Sequence, residues 1–310
     1  MGEPLNYDVV ATGLHFPEGP IAMPDGSVVL VEIARGRLSR VHPDGTVELV
    51  TETGGGPNGA AVGPDGAFWI CNNGGFFSWN QVSDELLLPG ETPDTWQGGS
   101  LQRVHPETGA VEEVVTECAG KRLRAPNDLV FDRDGGLWFT DHGVTSETSA
   151  EQAGVLYRSP SGEVLPVAYG VESTNGIGLS PDGEYLYVAE TFGGRVWAWQ
   201  VVGAGQVATD PSSDAPHGGR LLYDAPDGHL FDSLAVDGDG WVCVATLGQG
   251  GITCVSPDGA ASEHLTLPDP IVTNICFGGN DGRTAFITSS GRGELLATRW
   301  SRPGLRLSFA

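Results

Sequence analysis

Six copies of one short pattern run through the chain, and they restrict the folds open to it. Each copy has a polar head, a short apolar run, an aspartate seven residues after the head, and a glycine directly after that aspartate. The segments are PEGPIAMPDG from Pro17, PNGAAVGPDG from Pro57, PNDLVFDRDG from Pro126, TNGIGLSPDG from Thr174, FDSLAVDGDG from Phe231 and TNICFGGNDG from Thr273. The heads are Glu18, Asn58, Asn127, Asn175, Asp232 and Asn274, and the turn aspartates are Asp25, Asp65, Asp134, Asp182, Asp239 and Asp281. An Asp-Gly pair between apolar runs marks a hairpin, because glycine takes the positive φ that a tight reversal needs. The return runs, such as Val28-Val29-Leu30-Val31 and Leu137-Trp138-Phe139, are β-branched and aromatic, as strands prefer.

A second hairpin follows the first in most copies. Four strands per copy and six copies predict an all-β, six-bladed β-propeller, a single domain over residues 1–310. Radial packing of blades is one way in which a chain rich in short strands avoids open sheet edges. The last copy has one clear strand after its hairpin, near Glu294 to Trp300. The run from Tyr7 to Thr12 is therefore expected to supply the outer strand of that blade and close the ring. One connection is long, roughly 73–99, and carries Phe76, Phe77, Trp79 and Trp96. Loops of that length are usually functional or disordered; the four aromatics argue against disorder, and this one reads as a lid over the propeller mouth, with a packed surface excursion the alternative.

Composition narrows the partners. Lysines and arginines number 16 against 40 aspartates and glutamates, a net charge of −24. Such a chain should repel nucleic acid and anionic membrane surfaces, and it contains no apolar run long enough to span a bilayer. The expected partner is a small molecule, with the protein a monomer or small homo-oligomer. The five cysteines show no CxxC spacing and read as reduced thiols of a cytoplasmic protein.

Each head opens the inner strand of its blade, so six distant positions are expected to crowd around one end of the central tunnel. Every one offers a side-chain oxygen. Glu18 and Asp232 would supply two negative charges, and a hard cation such as Ca²⁺ takes carboxylate and amide oxygens. Mg²⁺, Mn²⁺ and Zn²⁺ are further candidates, though the absence of His and Cys from the ring argues against a dedicated zinc site. A second polar layer follows the return strands at Glu32, Asn72, Asp141, Glu190, Thr246 and Ser289. These positions read as supports or substrate contacts, and Asp141-His142 could contribute acid–base chemistry.

At these residues the chain resembles the senescence marker protein/gluconolactonase/luciferin-regenerating enzyme family, with diisopropyl fluorophosphatase a similar propeller. The carrying motifs are FPEGP at Phe16, APNDLVFDRDGGLWFTD at Ala125, TNGIGLSPDGEYLYVAET at Thr174, FDSLAVDGDG at Phe231 and TNICFGG at Thr273. The resemblance implies a six-bladed propeller with a divalent metal at the tunnel mouth. It implies Glu18, Asn127, Asn175 and Asp232 as metal ligands, with Asp232 also the base or nucleophile of lactone hydrolysis. Asn58, Asn127 and Asn274, together with Asp141, His142 and Trp79, are the expected substrate contacts. Some sugar-lactonase members carry an arginine two residues before the third-blade asparagine, where this chain has Ala125. Two other readings stand beside the lactonase: a phosphotriester or fluorophosphate hydrolase using the same ion, and a non-catalytic binding propeller with a structural metal.

Overall fold

The computed structural model describes residues 2–146, 149–151, 153–226 and 228–309. The six Asp-Gly turns form as expected, with φ between 69° and 84° at Gly26, Gly66, Gly135, Gly183, Gly240 and Gly282. Each turn joins an inner strand to its return strand, and a second antiparallel pair completes the blade. The six inner strands are Pro17–Ala22, Pro57–Val62, Pro126–Phe131, Thr174–Leu179, Leu230–Val236 and Val272–Gly278. Each packs against the next, and the sixth returns to the first, so the sheets form a closed ring.

The expected closure is present. Asp8–Ala11 pairs antiparallel with Glu294–Arg299, placing Asp8 opposite Ala297 and supplying the outer strand of blade six. Two blades depart from the four-strand pattern. Blade five carries a fifth strand, Glu3–Pro4, running parallel to Ser262–Thr266. In blade four the long strand Arg195–Gly203 pairs with Arg220–Asp224 and also with a short added strand, Gln206–Val207. Apolar side chains fill the space between blades. Trp69, Leu101, Phe131, Phe139 and Leu156 join blades two and three, while Trp138, Tyr157, Leu186 and Trp199 join blades three and four. Burying one such side chain contributes about 1.5–3 kcal/mol, so the interfaces hold the radial arrangement rigid.

All six inner strands share one irregularity. The ladder to the return strand shifts register at the head, for example between Glu18 and Ile21, Pro126 and Leu129, and Phe231 and Leu234. A bulge re-aims the side chains beside it. Just past the heads, Gly19, Gly59 and Gly176 lie so close to the neighbouring blade that a Cβ would fall 2.5–2.6 Å from its atoms. The heads are thus drawn together where the backbones come closest.

The tunnel ends differ. A cavity of about 740 Å³ runs along the axis, with Gly19, Asp128 and Asn274 at one end and the C-terminal segment at the other. That segment is strapped across the Asp-Gly turns. Gly304 N–H donates to Gly282 at 2.7 Å, and Leu305 N–H to Val236 at 3.3 Å. Arg302 pairs with buried Asp237 and with Glu263, and lies over the Trp241 ring at 4.3 Å. At the head end, the long loop folds into the hairpin Trp79–Ser83 and Leu86–Pro89. It leaves blade two, sets Trp79 against Phe16 of blade one at 4.9 Å, and reaches blade six, where Leu87 N–H donates to Gly291 at 2.9 Å. The segment expected from sequence to be a lid thus spans from blade two to blades one and six.

Deleting residues 2–11 would leave the Glu294–Arg299 edge unpaired. The truncated chain is expected to melt at lower temperature and to aggregate on standing, as read by thermal denaturation and light scattering.

Candidate metal centre and active site

The bulges bring all six heads to one end of the tunnel. Glu18, Asn58, Asn127, Asn175 and Asn274 are buried, and Asp232 is half-buried. Two heads enter through strained backbone. Phe16 and Ser173, just before the first and fourth inner strands, take φ of 56° and 49°. Non-glycine residues in this left-handed region persist only when the surroundings enforce them, and they gather at functional sites.

Hydrogen bonds fix some oxygens and leave others open. Asn274 Nδ2 donates to Glu18 Oε2 at 2.7 Å, and Gly19 N–H donates to the same oxygen. Asn175 Nδ2 donates to Thr191 Oγ1 at 3.1 Å, and the Asn175 amide also bonds the Asp232 carboxylate. Glu18 Oε1 and Asn127 Oδ1 are buried without any hydrogen-bond partner. A buried acceptor left empty is costly in a finished protein, so these two oxygens mark where a ligand would be received.

The electrostatics point the same way. Burial and the nearby Asp232 charge push the Glu18 carboxyl well above its ordinary range, with Asp128 adding to the effect. Asp232 is raised to about 7, mainly by burial, with a contribution from Asp128. Asp128 is itself raised to about 7 by burial, despite bonds from Leu129 N–H, Ile177 N–H and Ser233. No cation figures among the main influences on any of the three.

Asp128 was not among the residues singled out from sequence. It stands one position past the head, where blades one, two and four have glycine and blades five and six have Ser233 and Ile275. A lone carboxylate among glycines at a repeated position was the available signal.

The second polar layer proves to be bracing. Asp141 accepts the backbone N–H groups of Arg124, Ala125 and Gly143 at 2.7–3.0 Å. Glu32 is held by His15 N–H, Arg35, Arg37 and Ser39. Asn72 bonds Gly56, Gly74, Gly54 and Gln102, and Glu190 accepts from Trp197 Nε1. Thr246 bonds Thr253, and Ser289 bonds Asp269. These groups shape the segments that lead into the heads. His142 lies beside them, between Phe76 and Phe192 at ring distances of 6.4 and 6.0 Å, and burial lowers it to about 4. It is a neutral ring at physiological pH. Trp79 sits in the same rim, 6.2 Å from Phe77.

Among the described residues, no three His, Cys, Asp or Glu side chains are placed to hold an ion by themselves. The candidate set instead mixes carboxylates and amides, a donor chemistry suited to a hard divalent cation. The open oxygens of Glu18 and Asn127 fit such an ion.

A closed six-bladed propeller with an oxygen-donor centre at one mouth is the class of protein that fold and site define. The chain belongs to the SMP-30/Gluconolactonase/LRE-like family, whose sequence model matches residues 16–291. It is 26% identical over 314 residues to the gluconolactonase of Zymomonas mobilis, covering 91% of this chain and 78% of that protein. The solved gluconolactonase of Xanthomonas campestris superposes with a TM-score of 0.73 at 24% identity, over 95% of this chain and 89% of that one. Regucalcin of Agrobacterium tumefaciens, a calcium-binding protein, superposes with a TM-score of 0.68 at 18% identity, over 98% and 99%. Both superpositions bear on the fold.

Carboxyls raised by folding hold protons that the unfolded chain has already released, so their contribution to stability falls as pH rises through the raised values. For Asp128 and Asp232 that window is about pH 4–7. Metal-stripped protein should therefore lose melting temperature across this window. Asp128→Asn should flatten the slope, and Ca²⁺ should restore more stability at pH 8 than at pH 5. Thermal melts with and without chelator check all three.

Proposed function

We propose that the chain is a divalent-cation-dependent hydrolase that opens lactone rings. The observation carrying this reading is the pair of partnerless buried oxygens, Glu18 Oε1 and Asn127 Oδ1, beside carboxylates whose main electrostatic influences include no cation. The likeness to the gluconolactonase of Zymomonas mobilis supports the choice of substrate.

Glu18, Asn127, Asn175 and Asp232 would hold the ion, with Ca²⁺ the best match to an all-oxygen set. Bound there, such an ion supplies Lewis acidity toward an ester carbonyl. The remaining work falls to this chain's own groups. Asn58 and Asn127, on adjacent blades, orient the ester. Asp232 takes a proton from the attacking water onto its free carboxylate oxygen as the C–O bond to water forms. The ring C–O bond then breaks, and the same proton passes to the departing ring oxygen. The product is one hydroxy acid per lactone and water. The Asn175 amide restrains the Asp232 carboxylate, and Asp128, which lines the cavity, raises the proton affinity of Glu18 and Asp232. The crossing hairpin limits water over the mouth.

The test is proton release from five- and six-membered lactones. Chelated protein should be inactive and regain turnover with Ca²⁺ or Mn²⁺. Asp232→Asn should lower kcat by roughly 10²–10⁴, the usual contribution of a positioned acid–base group. Turnover unaffected by chelation would overturn the metal-dependent reading. Bound metal with no turnover of any lactone would leave the phosphotriester hydrolase first, and then the binding propeller.

A further inference from the structure

The mouth above the heads is bordered by an arc of aromatic rings contributed by four blades. Phe16 of blade one meets Trp79 at 4.9 Å, and Trp79 meets Phe77 at 6.2 Å. Phe77 meets Phe76 at 4.9 Å, Phe76 meets His142 of blade three at 6.4 Å, and His142 meets Phe192 of blade four at 6.0 Å. The arc is tied to the heads through short backbone links. Phe16 is two residues before Glu18. His142 N–H donates to Ala125, two residues before Asn127, at 3.0 Å. Phe192 N–H donates to Ser173 Oγ, two residues before Asn175, at 3.1 Å.

Apart from Phe16, which is buried in the core of blade one, these rings are not a closed core. Phe76, Phe77, Trp79 and His142 are half-buried, and Phe192 is 61% exposed. A phenylalanine that exposed, in contact with a chain of partly open rings, offers apolar surface to whatever enters. The polar groups of the same layer are already committed. Asp141 holds three backbone amides, Asn72 bridges two glycine amides to Gly54 and Gln102, and Glu32 and Glu190 face their own arginine or tryptophan partners. A sugar binds well against aromatic faces when carboxylates and amides at the edge take its hydroxyls. Here Asp141, Glu32, Glu190 and Asn72 are engaged with the protein, and the neighbouring Asn73 keeps one buried Nδ2 without a partner, a single donor against the several hydroxyls of a sugar. Beyond that one donor, a hydroxyl buried against these rings would lose water without gaining a partner, whereas a hydrocarbon substituent would only gain.

We infer that this site takes lactones bearing an apolar alkyl or aryl substituent, which lies against Phe76, Trp79 and Phe192, in preference to polyhydroxylated sugar lactones. The inference rests on the lactone-hydrolase reading and specifies its substrate class. The substituent would lie along the arc over blades one to four, with the ester over the heads.

The experiment compares kcat/KM of the Ca²⁺-loaded enzyme for δ-lactones with alkyl chains of increasing length and for glucono-δ-lactone. The expected result is a rise of up to about fourfold per methylene over the first few carbons, with glucono-δ-lactone at least tenfold below the best alkyl lactone. Phe192→Ala, at an exposed position that should not disturb folding, and Trp79→Ala should each flatten that rise. Turnover with no chain-length dependence, or a preference for glucono-δ-lactone, would overturn the inference while leaving the hydrolase reading intact. A parallel titration follows tryptophan fluorescence with alkyl δ-lactams, which resist hydrolysis. Chain-length-dependent binding of lactams, with no lactone turned over, would uphold the apolar rim and sink the hydrolase reading. Lactam binding that ignores chain length would count against the rim by itself.

Discussion

Three carboxyl groups from three blades share a buried space whose main electrostatic influences include no cation. Asp232 and Asp128 raise the proton affinity of Glu18, Asp128 raises that of Asp232, and burial raises all three. The fold holds them together regardless, because the bulge in every inner strand and the close glycine contacts between blades leave the heads no other direction. The cohesion of the blade interfaces thus opposes the mutual repulsion of the site. The divalent ion proposed for this mouth would relieve that repulsion and fill the open oxygens of Glu18 and Asn127 in one step. This is the physical reason to treat the mouth as a site instead of a scaffold.

Much of this was legible in the sequence because one period controlled it. The aspartate seven residues after each head placed six turns, and the turns placed six inner strands. The heads then had to converge. The closure by the run near Tyr7 was legible for a related reason: blade six lacked a strand, and a sheet edge invites one. Residues outside the period were harder to read. Asp128 lies one step from its head and was passed over. Phe16 and Phe192 carry no repeat signal, and only the folded chain shows them continuing the ring contacts of Trp79 and His142.

The second polar layer shows a different limit. Residue type and position at Glu32, Asn72, Asp141 and Glu190 suit either support or substrate contact. The choice depends on which partners reach them, and those partners are backbone amides of neighbouring turns and side chains in about equal number. A sequence carries no mark for such bonds. The strand Glu3–Pro4 and the C-terminal strap are likewise outside the repeats, and each is held by backbone bonds to blades already built.

Ring closure has a consequence for how the molecule comes to exist. The pair joining Asp8 to Ala297 links the two ends of the chain, so it is among the most non-local contacts a chain of this length can make. Contacts of that separation form late and slowly. During synthesis, blades one to five can assemble in order while the first strand waits without its partner. The exposed edge of blade one and the unpaired N-terminal strand then coexist until residue 299 has left the ribosome. A nascent chain of this kind passes through an open, horseshoe-like stage whose edges are sticky. Its success depends on the last blade arriving before another molecule's strand does.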